Sequence, residues 1–167
     1  FSVQAGEYMA VMGASGSGKT TLLNLISTVD TVSAGHILLN GRDITAISDD
    51  EIAAFRRDSL GFVFQEFNLL DTLTLEENIA LPLTLQELPP RETDRRVRDI
   101  AARLNLCDAL KKFPSQVSGG QKQRCAFARA VVCQPKLILA DEPTGSLDSG
   151  SSRILLELMS DYHRDPG

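Results

Sequence analysis

Residues 13–20 read GASGSGKT, and they lie between an apolar run at residues 8–12 and a helical pattern of apolar residues at 22–29. A loop of this kind needs glycines because successive backbone N–H groups must curl around a phosphate in conformations that a Cβ obstructs. The helix that follows adds the positive end of its dipole. The order therefore predicts a strand, a phosphate-binding loop and a helix.

Two side chains at the end of this loop have the chemistry that a nucleotide requires. Lys19 can reach the β- and γ-phosphates as a point charge, and the Thr20 hydroxyl is placed to ligate Mg²⁺. The spacing fits the Walker A pattern at every fixed position, and the alternative is a flexible glycine linker. The residues expected to contact nucleotide here are Gly13, Ala14, Ser15, Gly16, Ser17, Gly18, Lys19, Thr20 and Thr21.

The composition is typical of one globular domain. The 167 residues are 43% hydrophobic, enough for a sizeable core, and their net charge of −5 argues against broad binding to nucleic acid. No segment reaches the apolar length of a transmembrane helix, and the first residues lack the pattern of a signal peptide. The three cysteines form no C-x-x-C pair, so we expect a reduced, cytosolic setting without a disulfide framework or a zinc site.

Two further predicted strands end at polar side chains. Residues 60–64 (LGFVF) lead into Gln65, and residues 136–140 (KLILA) lead into Asp141 and Glu142. Ligands of open α/β sheets lie at the carboxyl ends of the strands. Because unpaired carboxylates are costly to bury, we assign Asp141 to a Mg²⁺ shell and Glu142 to an attacking water. The alternative is a coincidental pair of acids at a strand end.

The rest of the pattern predicts a short strand and several helices. Residues 35–41 are typical of a strand that ends in an Asn-Gly turn. Ser48 with Glu51, and Thr74 with Glu77, have the spacing of capping boxes at helix starts. From about residue 71 to residue 113 the pattern is helical, and its prolines are expected to break or bend it: Pro82, Pro89 and Pro90.

A second glycine-containing turn stands between the phosphate loop and the acidic pair. Residues 117–121 read VSGGQ and precede a helical stretch that runs to about residue 130. A hydroxyl, two glycines and a helix N-terminus together form a candidate anion site. Taken alone, the same residues are also typical of an ordinary helix cap.

Taken in order, these motifs resemble those of an ABC-type ATPase, and the match covers nearly the whole chain. The resemblance implies that Gln65 is the Q-loop glutamine, which touches Mg²⁺ or water and faces a membrane partner. Asp148, in the sequence SLD at residues 146–148, matches the D-loop, which communicates across a dimer. The implied catalytic residues are Lys19, Gln65 and Glu142; the implied metal ligands are Thr20, Gln65 and Asp141; the implied signature motif is Ser118, Gly119, Gly120 and Gln121.

The same resemblance implies a fold. It is an α/β fold with a P-loop NTPase (RecA-like) core and a partial antiparallel β subdomain at residues 1–70 and 114–167. A helical subdomain is implied at residues 71–113. The family's switch histidine would fall beyond residue 167, and its adenine-stacking aromatic residue would fall before Phe1. We therefore expect a single domain that is incomplete at both ends. His163 and His36 are expected to be structural, and Tyr8 to pack in or beside its strand.

The family sandwiches two ATP molecules between two head-to-tail copies of the domain. The resemblance therefore implies ATP and Mg²⁺ as cofactors, with ATP holding the copies together. It also implies two partners: a second copy of the chain, and an integral membrane permease that keeps the domain at the cytoplasmic face of a bacterial membrane. No nucleic acid partner is expected.

The segment at residues 67–83 is similar to a bacterial subgroup that contains lipoprotein-release, macrolide-efflux, cell-division and peptide-antibiotic-resistance ATPases. This favours an ATP-hydrolysing subunit that drives export or the extraction of lipids, lipoproteins or peptides. Mechanical signalling to a membrane partner without net transport is the alternative. DNA-repair ATPases share the motifs, but residues 66–117 hold no heptad run or cysteine cluster of the kind that those proteins insert.

Overall fold

In the computed structural model of the protein, residues 1–165 are described, and they form six α-helices and four short strands. The helices are α1 (Lys19–Ile26), α2 (Asp49–Ser59), α3 (Leu75–Leu85), α4 (Pro90–Arg103), α5 (Gly119–Val131) and α6 (Ser149–Arg164). The strands are β1 (Leu38–Leu39), β2 (Arg42–Asp43), β3 (Leu60–Val63) and β4 (Leu137–Ala140). Single 3₁₀ turns occupy Ile44–Ala46, Cys107–Ala109 and Pro114–Gln116.

Strands β3 and β4 lie side by side and run parallel. Their register pairs Leu60 with Leu137 and Val63 with Ala140. The last link of the ladder is the Asp141 N–H, which donates to the Val63 carbonyl at 2.9 Å. The two strands that were predicted near residues 60–64 and 136–140 are thus confirmed. Because they are parallel, the segments that begin at Phe64 and Asp141 leave the sheet at the same edge.

The predicted strand at residues 8–12 is wrong. This segment belongs to no strand of the described chain, and its side chains are exposed, from 42% at Met9 to 90% at Met12. An apolar run becomes a strand only when a neighbouring strand supplies hydrogen bonds to its backbone. Within residues 1–165 the parallel ladder contains β3 and β4 alone. Tyr8 instead lies edge-on to the His163 ring, with the ring centroids 5.7 Å apart.

The predicted Asn-Gly turn joins a short antiparallel hairpin. Strands β1 and β2 pair through Leu39 and Arg42, and the two residues between them have φ values of 51° at Asn40 and 79° at Gly41. Positive φ at both central positions is what a two-residue hairpin turn requires. His36 lies beside this hairpin, where its Nδ1 pairs with the Asp43 carboxylate at 2.7 Å, as expected for a structural histidine.

Helices α3 and α4 form the predicted helical region. The Thr74–Glu77 capping box is confirmed, since the Thr74 N–H donates to Glu77 Oε2 at 2.8 Å and the Glu77 N–H donates to Thr74 Oγ1 at 3.3 Å. Pro82 lies inside α3 without ending it, while Pro89 is the N-cap of α4 and Pro90 is the first residue of that helix. Ser48 does precede α2, but its hydroxyl donates to the Glu51 carboxylate. The predicted Ser48–Glu51 capping box is therefore incomplete.

Helix α5 forms the centre of the packing. Its neighbours are α3, β3 and α6, and its Phe127 side chain is buried among them. The approach of β3 is so close that a Cβ at Gly61 would lie 2.2 Å from the Ala130 carbonyl oxygen. The other large side chains that are fully buried include Val63, Leu75, Ile79, Leu83, Leu104 and Leu155. Because β3 packs on α5 and β4 pairs with β3, the ends of both strands are held in place relative to α5.

Among residues 1–165, no helix combines the length and the apolar character that a membrane crossing requires.

Candidate functional site

The phosphate loop is shaped by glycines in the left-handed region. Gly16 has φ 77° and Gly18 has φ 90°, and Gly18 is also the residue that caps α1. Side chains with a Cβ rarely adopt these angles. Helix α1 begins at Lys19, so its first backbone N–H groups point toward the loop, where an anion is favoured.

A cleft of about 200 Å³ lies over this loop. Besides the loop itself, Glu142 from the segment after β4 contributes to its wall. The loop and helix residues that line it are Ser15, Gly16, Gly18, Lys19, Thr20 and Thr21. The cleft therefore combines backbone donors, one lysine and one carboxylate, which is the chemistry needed to hold a phosphate chain beside a water molecule.

Lys19 lies over the loop. Its Nζ donates to the carbonyl oxygens of Gly13 and Ala14, both at 3.0 Å. The ammonium group is thus held at the surface of the cleft, where it can exchange these carbonyls for phosphate oxygens.

Thr20 and Asp141 connect the phosphate loop to the end of β4. The Thr20 hydroxyl donates to Asp141 Oδ2 at 3.0 Å. A hydroxyl and a carboxylate are hard oxygen donors, and Mg²⁺ in phosphate sites takes one or two such ligands and completes its shell with phosphates and waters. The pair therefore fits a Mg²⁺ ion that is shared with a nucleotide. No group of three or more His, Cys, Asp or Glu side chains within residues 1–165 forms a metal site made by protein alone.

Glu142 stands in an unusual backbone conformation. Its φ is 44°, in the left-handed region that residues other than glycine adopt at an energetic cost. The turn is closed by the Gly145 N–H, which donates to the Glu142 carbonyl at 2.9 Å. This conformation carries the Glu142 side chain to the cleft at the point where β4 ends.

Gln65 follows β3 and lies against the turn that follows Glu142. A Cβ at Gly145 would be 2.9 Å from Gln65 Nε2, so the absence of a side chain at position 145 makes room for this amide. Gln65 and Asp141 do not line the cleft themselves. The structure places Gln65 beside the segment that carries Glu142, and it places Asp141 beside Thr20.

The SGGQ segment caps α5. The Ser118 N–H donates to Gln121 Oε1 at 3.1 Å, and the Gln121 N–H donates to Ser118 Oγ at 3.3 Å, so both arms of a capping box are present. Ser118, Gly119, Gly120 and Gln121 are absent from the wall of the cleft over the phosphate loop. The structure therefore does not bring the two glycine-containing segments of one chain to the same cavity.

Asp148 caps the next helix, α6. Its carboxylate accepts from the Ser151 N–H at 2.9 Å and from the Ser151 hydroxyl at 2.7 Å, and these two hydrogen bonds, the backbone bond first, lower the pKa of Asp148. Helices α5 and α6 begin side by side, since a Cβ at Gly120 would lie 2.9 Å from Ser151 Oγ. The candidate signature and D-loop segments thus form one continuous surface.

Arg129 holds the turn after Gln65 and is not among the residues that the sequence identified. Its guanidinium donates to the carbonyl oxygens of Phe67 at 3.0 Å and Asn68 at 2.6 Å, and both of these residues have positive φ, 62° and 47°. Burial lowers the pKa of Arg129. The sign of this role in the sequence is a charged residue within residues 125–131 (CAFARAV), the otherwise apolar second half of the helix.

Gln123 is a second residue that the sequence analysis missed. It is completely buried, although it lies only two residues after the capping box of α5. It lies four positions before Phe127, which faces the core, so helical periodicity places a glutamine on the buried face. A polar residue at such a position needs hydrogen-bond partners, and that is the signal that could have identified it.

The family described as "ABC transporter" matches residues 1–145. The ABC transporter ATP-binding protein YxdL of Bacillus subtilis is 53% identical over 165 residues, which are 99% of this chain and 64% of that protein. The bacitracin export ATP-binding protein BceA of Halalkalibacterium halodurans is 49% identical over 154 residues, which are 92% of this chain and 61% of that protein. The chain thus spans less than two thirds of these relatives.

Among solved structures, the chain is similar to the dimeric post-hydrolysis state of the ATP-binding cassette MJ0796 bound to ADP and Pi. The TM-score is 0.88 with 37% sequence identity, and the match covers 100% of this chain and 74% of that one. The expected P-loop fold is confirmed by this likeness.

Proposed function

This chain belongs to the ABC transporter family, and from that premise we propose that it binds and hydrolyses ATP as the nucleotide-binding subunit of a bacterial exporter. The observation that carries the proposal is the cleft over the phosphate loop, whose wall contains both Lys19 and Glu142. A cation that binds phosphate and a carboxylate that can orient water are the two protein groups that ATP hydrolysis needs in one cavity.

Each residue in or beside the cleft has a separate task in this proposal. The backbone N–H groups of the loop and the Lys19 ammonium bind the β- and γ-phosphates. Thr20 and Asp141 would hold Mg²⁺, which when bound neutralises charge on those phosphates. Glu142 orients the attacking water and accepts its proton. Gln65 lies beside the same turn, where its amide would contact that water or the metal ion.

We infer that two copies of the chain are needed for a complete site. The SGGQ segment is one anion-binding surface and the phosphate loop is another, and in one chain they do not share a cavity. A head-to-tail arrangement would place the SGGQ segment of each copy over the γ-phosphate held by the other. The dimeric state of the ATP-binding cassette MJ0796 supports this arrangement.

The substance that is moved is proposed from the relatives. BceA is named for bacitracin export, and a protein 45% identical over 162 residues, MacB of Brucella abortus, is named for macrolide export. We therefore propose export, or extraction of a lipid, lipoprotein or peptide, driven through an integral membrane permease at the cytoplasmic face of the membrane. ATP turnover that signals to the permease without net transport is the alternative outcome.

The test is Glu142→Gln in the full-length protein, purified together with its permease. Loss of a general base lowers kcat by at least about 100-fold. ATP binding should remain, because the loop and Lys19 are intact. Glu157→Gln is the matched control: the same chemical change on the exposed surface of α6, where Glu157 pairs with Arg153, should leave kcat unchanged. Equal kcat in the two variants would contradict the assignment of Glu142.

Reconstituted vesicles separate transport from signalling. Movement of a lipid or peptide that stops in the Glu142→Gln variant supports export. ATP turnover without any net movement would favour the signalling alternative and leave the ATPase assignment in place.

A further inference from the structure

Gln123 connects the two segments that carry Gln65 and Glu142. Its Nε2 donates to the Phe64 carbonyl at 3.1 Å and to the Pro143 carbonyl at 2.6 Å. Phe64 directly precedes Gln65, and Pro143 directly follows Glu142. One side-chain amide on α5 therefore contacts both chain segments at the sheet edge.

The position of this amide matters because the strand ladder has already ended there. The last backbone link between β3 and β4 is the hydrogen bond from Asp141 to Val63. Beyond it the two segments leave the sheet and form separate turns. Gln123 supplies the next connection outward, at the level where Gln65 and Glu142 project.

The chemistry of the side chain suits two acceptors. An amide NH₂ group has two hydrogens, so each carbonyl can receive one of them. The reverse orientation would place Gln123 Oε1 against two carbonyl oxygens, which is repulsive. In the orientation observed, Oε1 accepts no hydrogen bond within residues 1–165, although Gln123 is 0% exposed.

This unsatisfied oxygen is informative because burying a polar atom without a partner is unfavourable. A methionine has nearly the same length and would fill the space without that cost. The presence of an amide at this position is therefore explained by the two carbonyls that it holds, rather than by packing.

Helix α5 also contacts the chain segment that follows Gln65. Arg129, on the same helix, binds the carbonyls of Phe67 and Asn68. The loop that carries Gln65 is thus attached to α5 before and after the glutamine. The same helix begins at the SGGQ segment, with its cap at Ser118.

We propose that Gln123 is a positioning residue, which sets the distance between Gln65 and Glu142 and ties that distance to the helix that begins at the SGGQ segment. The inference rests on the proposed ATPase function. It predicts that loss of the amide slows the hydrolytic step and leaves nucleotide binding intact, because neither Phe64 nor Pro143 lines the cleft over the phosphate loop.

The experiment compares Gln123→Met with Cys125→Ala in the full-length protein. Cys125 is on the same helix and equally buried, but its Sγ donates to the Leu75 carbonyl, away from both turns. We expect Gln123→Met to lower kcat about tenfold or more while Kd for ATP changes less than twofold. Cys125→Ala should lower the melting temperature yet keep kcat within twofold. A parallel loss of kcat in both variants, or a matching loss of ATP affinity, would overturn the proposal.

Hydrogen exchange supplies a readout that does not depend on hydrolysis. In these two turns the Phe67 N–H donates to the Phe64 carbonyl and the Gly145 N–H donates to the Glu142 carbonyl. Both amides should exchange faster in Gln123→Met than in the wild type or in Cys125→Ala, because the turns are no longer held together. Unchanged exchange rates at both amides would contradict the proposal. If the wild-type protein hydrolyses no ATP, the proposed function fails, and exchange still decides whether Gln123 holds the two turns.

A shorter amide covers the case in which Gln123→Met does not fold. Gln123→Asn keeps the NH₂ group but lacks one methylene, so it can reach only one of the two carbonyls. The same separation of kcat from ATP affinity is expected, and wild-type kcat in this variant would contradict the proposal.

Discussion

Single hydrogen bonds and single missing side chains determine how the parts of the site meet. The Thr20 hydroxyl joins the phosphate loop to Asp141, and the bare backbone of Gly145 leaves space for the Gln65 amide. In each contact the two residues are far apart in sequence. At this scale, positions that have no side chain are as informative as those that carry charge.

Gly145→Ala tests the contact with Gln65. The new Cβ would lie 2.9 Å from Nε2, the far end of a flexible side chain that can move away at small cost. We therefore expect an unchanged melting temperature and unchanged ATP affinity, with kcat lowered about tenfold because Gln65 is displaced, a loss of about 1.4 kcal/mol of transition-state stabilisation. Steady-state ATPase kinetics and calorimetry check this. Ser160→Ala, near the other end of α6, is the control and should keep wild-type kcat.

At the scale of elements, the arrangement depends on how closely β3 approaches α5. Gly61 is a point of close approach, and its backbone lies against the Ala130 carbonyl. Helix α5 can then reach the sheet edge with its side chains, as Arg129 does at Phe67 and Asn68. A larger separation between helix and strand would move these polar groups out of range.

Gly61→Ala should therefore destabilise the fold. A Cβ at 2.2 Å from a backbone oxygen cannot be relieved by rotating a side chain, so β3 or α5 must shift. Overpacking of this kind costs about 3 kcal/mol. Urea unfolding followed by circular dichroism measures it, and Gly150→Ala should change the unfolding free energy by less than about 1 kcal/mol. A Gly61→Ala protein as stable as the wild type would show that the strand can move freely.

The elements that the sequence predicted well are those whose signals are local. The Asn40-Gly41 turn and the Thr74 capping box depend on residues within a few positions of each other. The run at residues 8–12 fails because a strand is completed by a partner, which no local pattern reveals. Gln123 was missed for the same reason: its two acceptors lie far away along the chain, and only the fold brings them together.

At the scale of the whole molecule, the proposed nucleotide site and the proposed dimer contact use different surfaces. The cleft over the phosphate loop contains no residue of the SGGQ segment. That segment lies instead beside the start of α6, next to Asp148. One chain therefore presents two surfaces, the cleft over the phosphate loop and the SGGQ segment. In the proposed dimer the cleft of each copy meets the SGGQ segment of the other.

Gly119→Asp in the Glu142→Gln background separates the two surfaces. The new Cβ meets only ordinary contacts, the nearest at 3.7 Å from Leu147, and an acidic residue in the first turn of a helix is favourable, so the variant should fold. ATP affinity of the monomer should be unchanged. ATP-dependent dimerisation, measured by light scattering, should weaken at least about tenfold because the carboxylate opposes the γ-phosphate of the other copy. An undiminished dimer would contradict the head-to-tail arrangement.

The parallel pairing of β3 with β4 also has a consequence for the order of folding. Residues 64–136 lie between these strands, and closing so long a loop is entropically costly while it is unstructured. Helices α3, α4 and α5 occupy most of that interval and contact one another, so their early formation shortens the loop that remains to be closed. We therefore expect the sheet edge that carries Gln65 and Glu142 to be among the last parts of the chain to assemble, so that the proposed hydrolytic site forms late in folding.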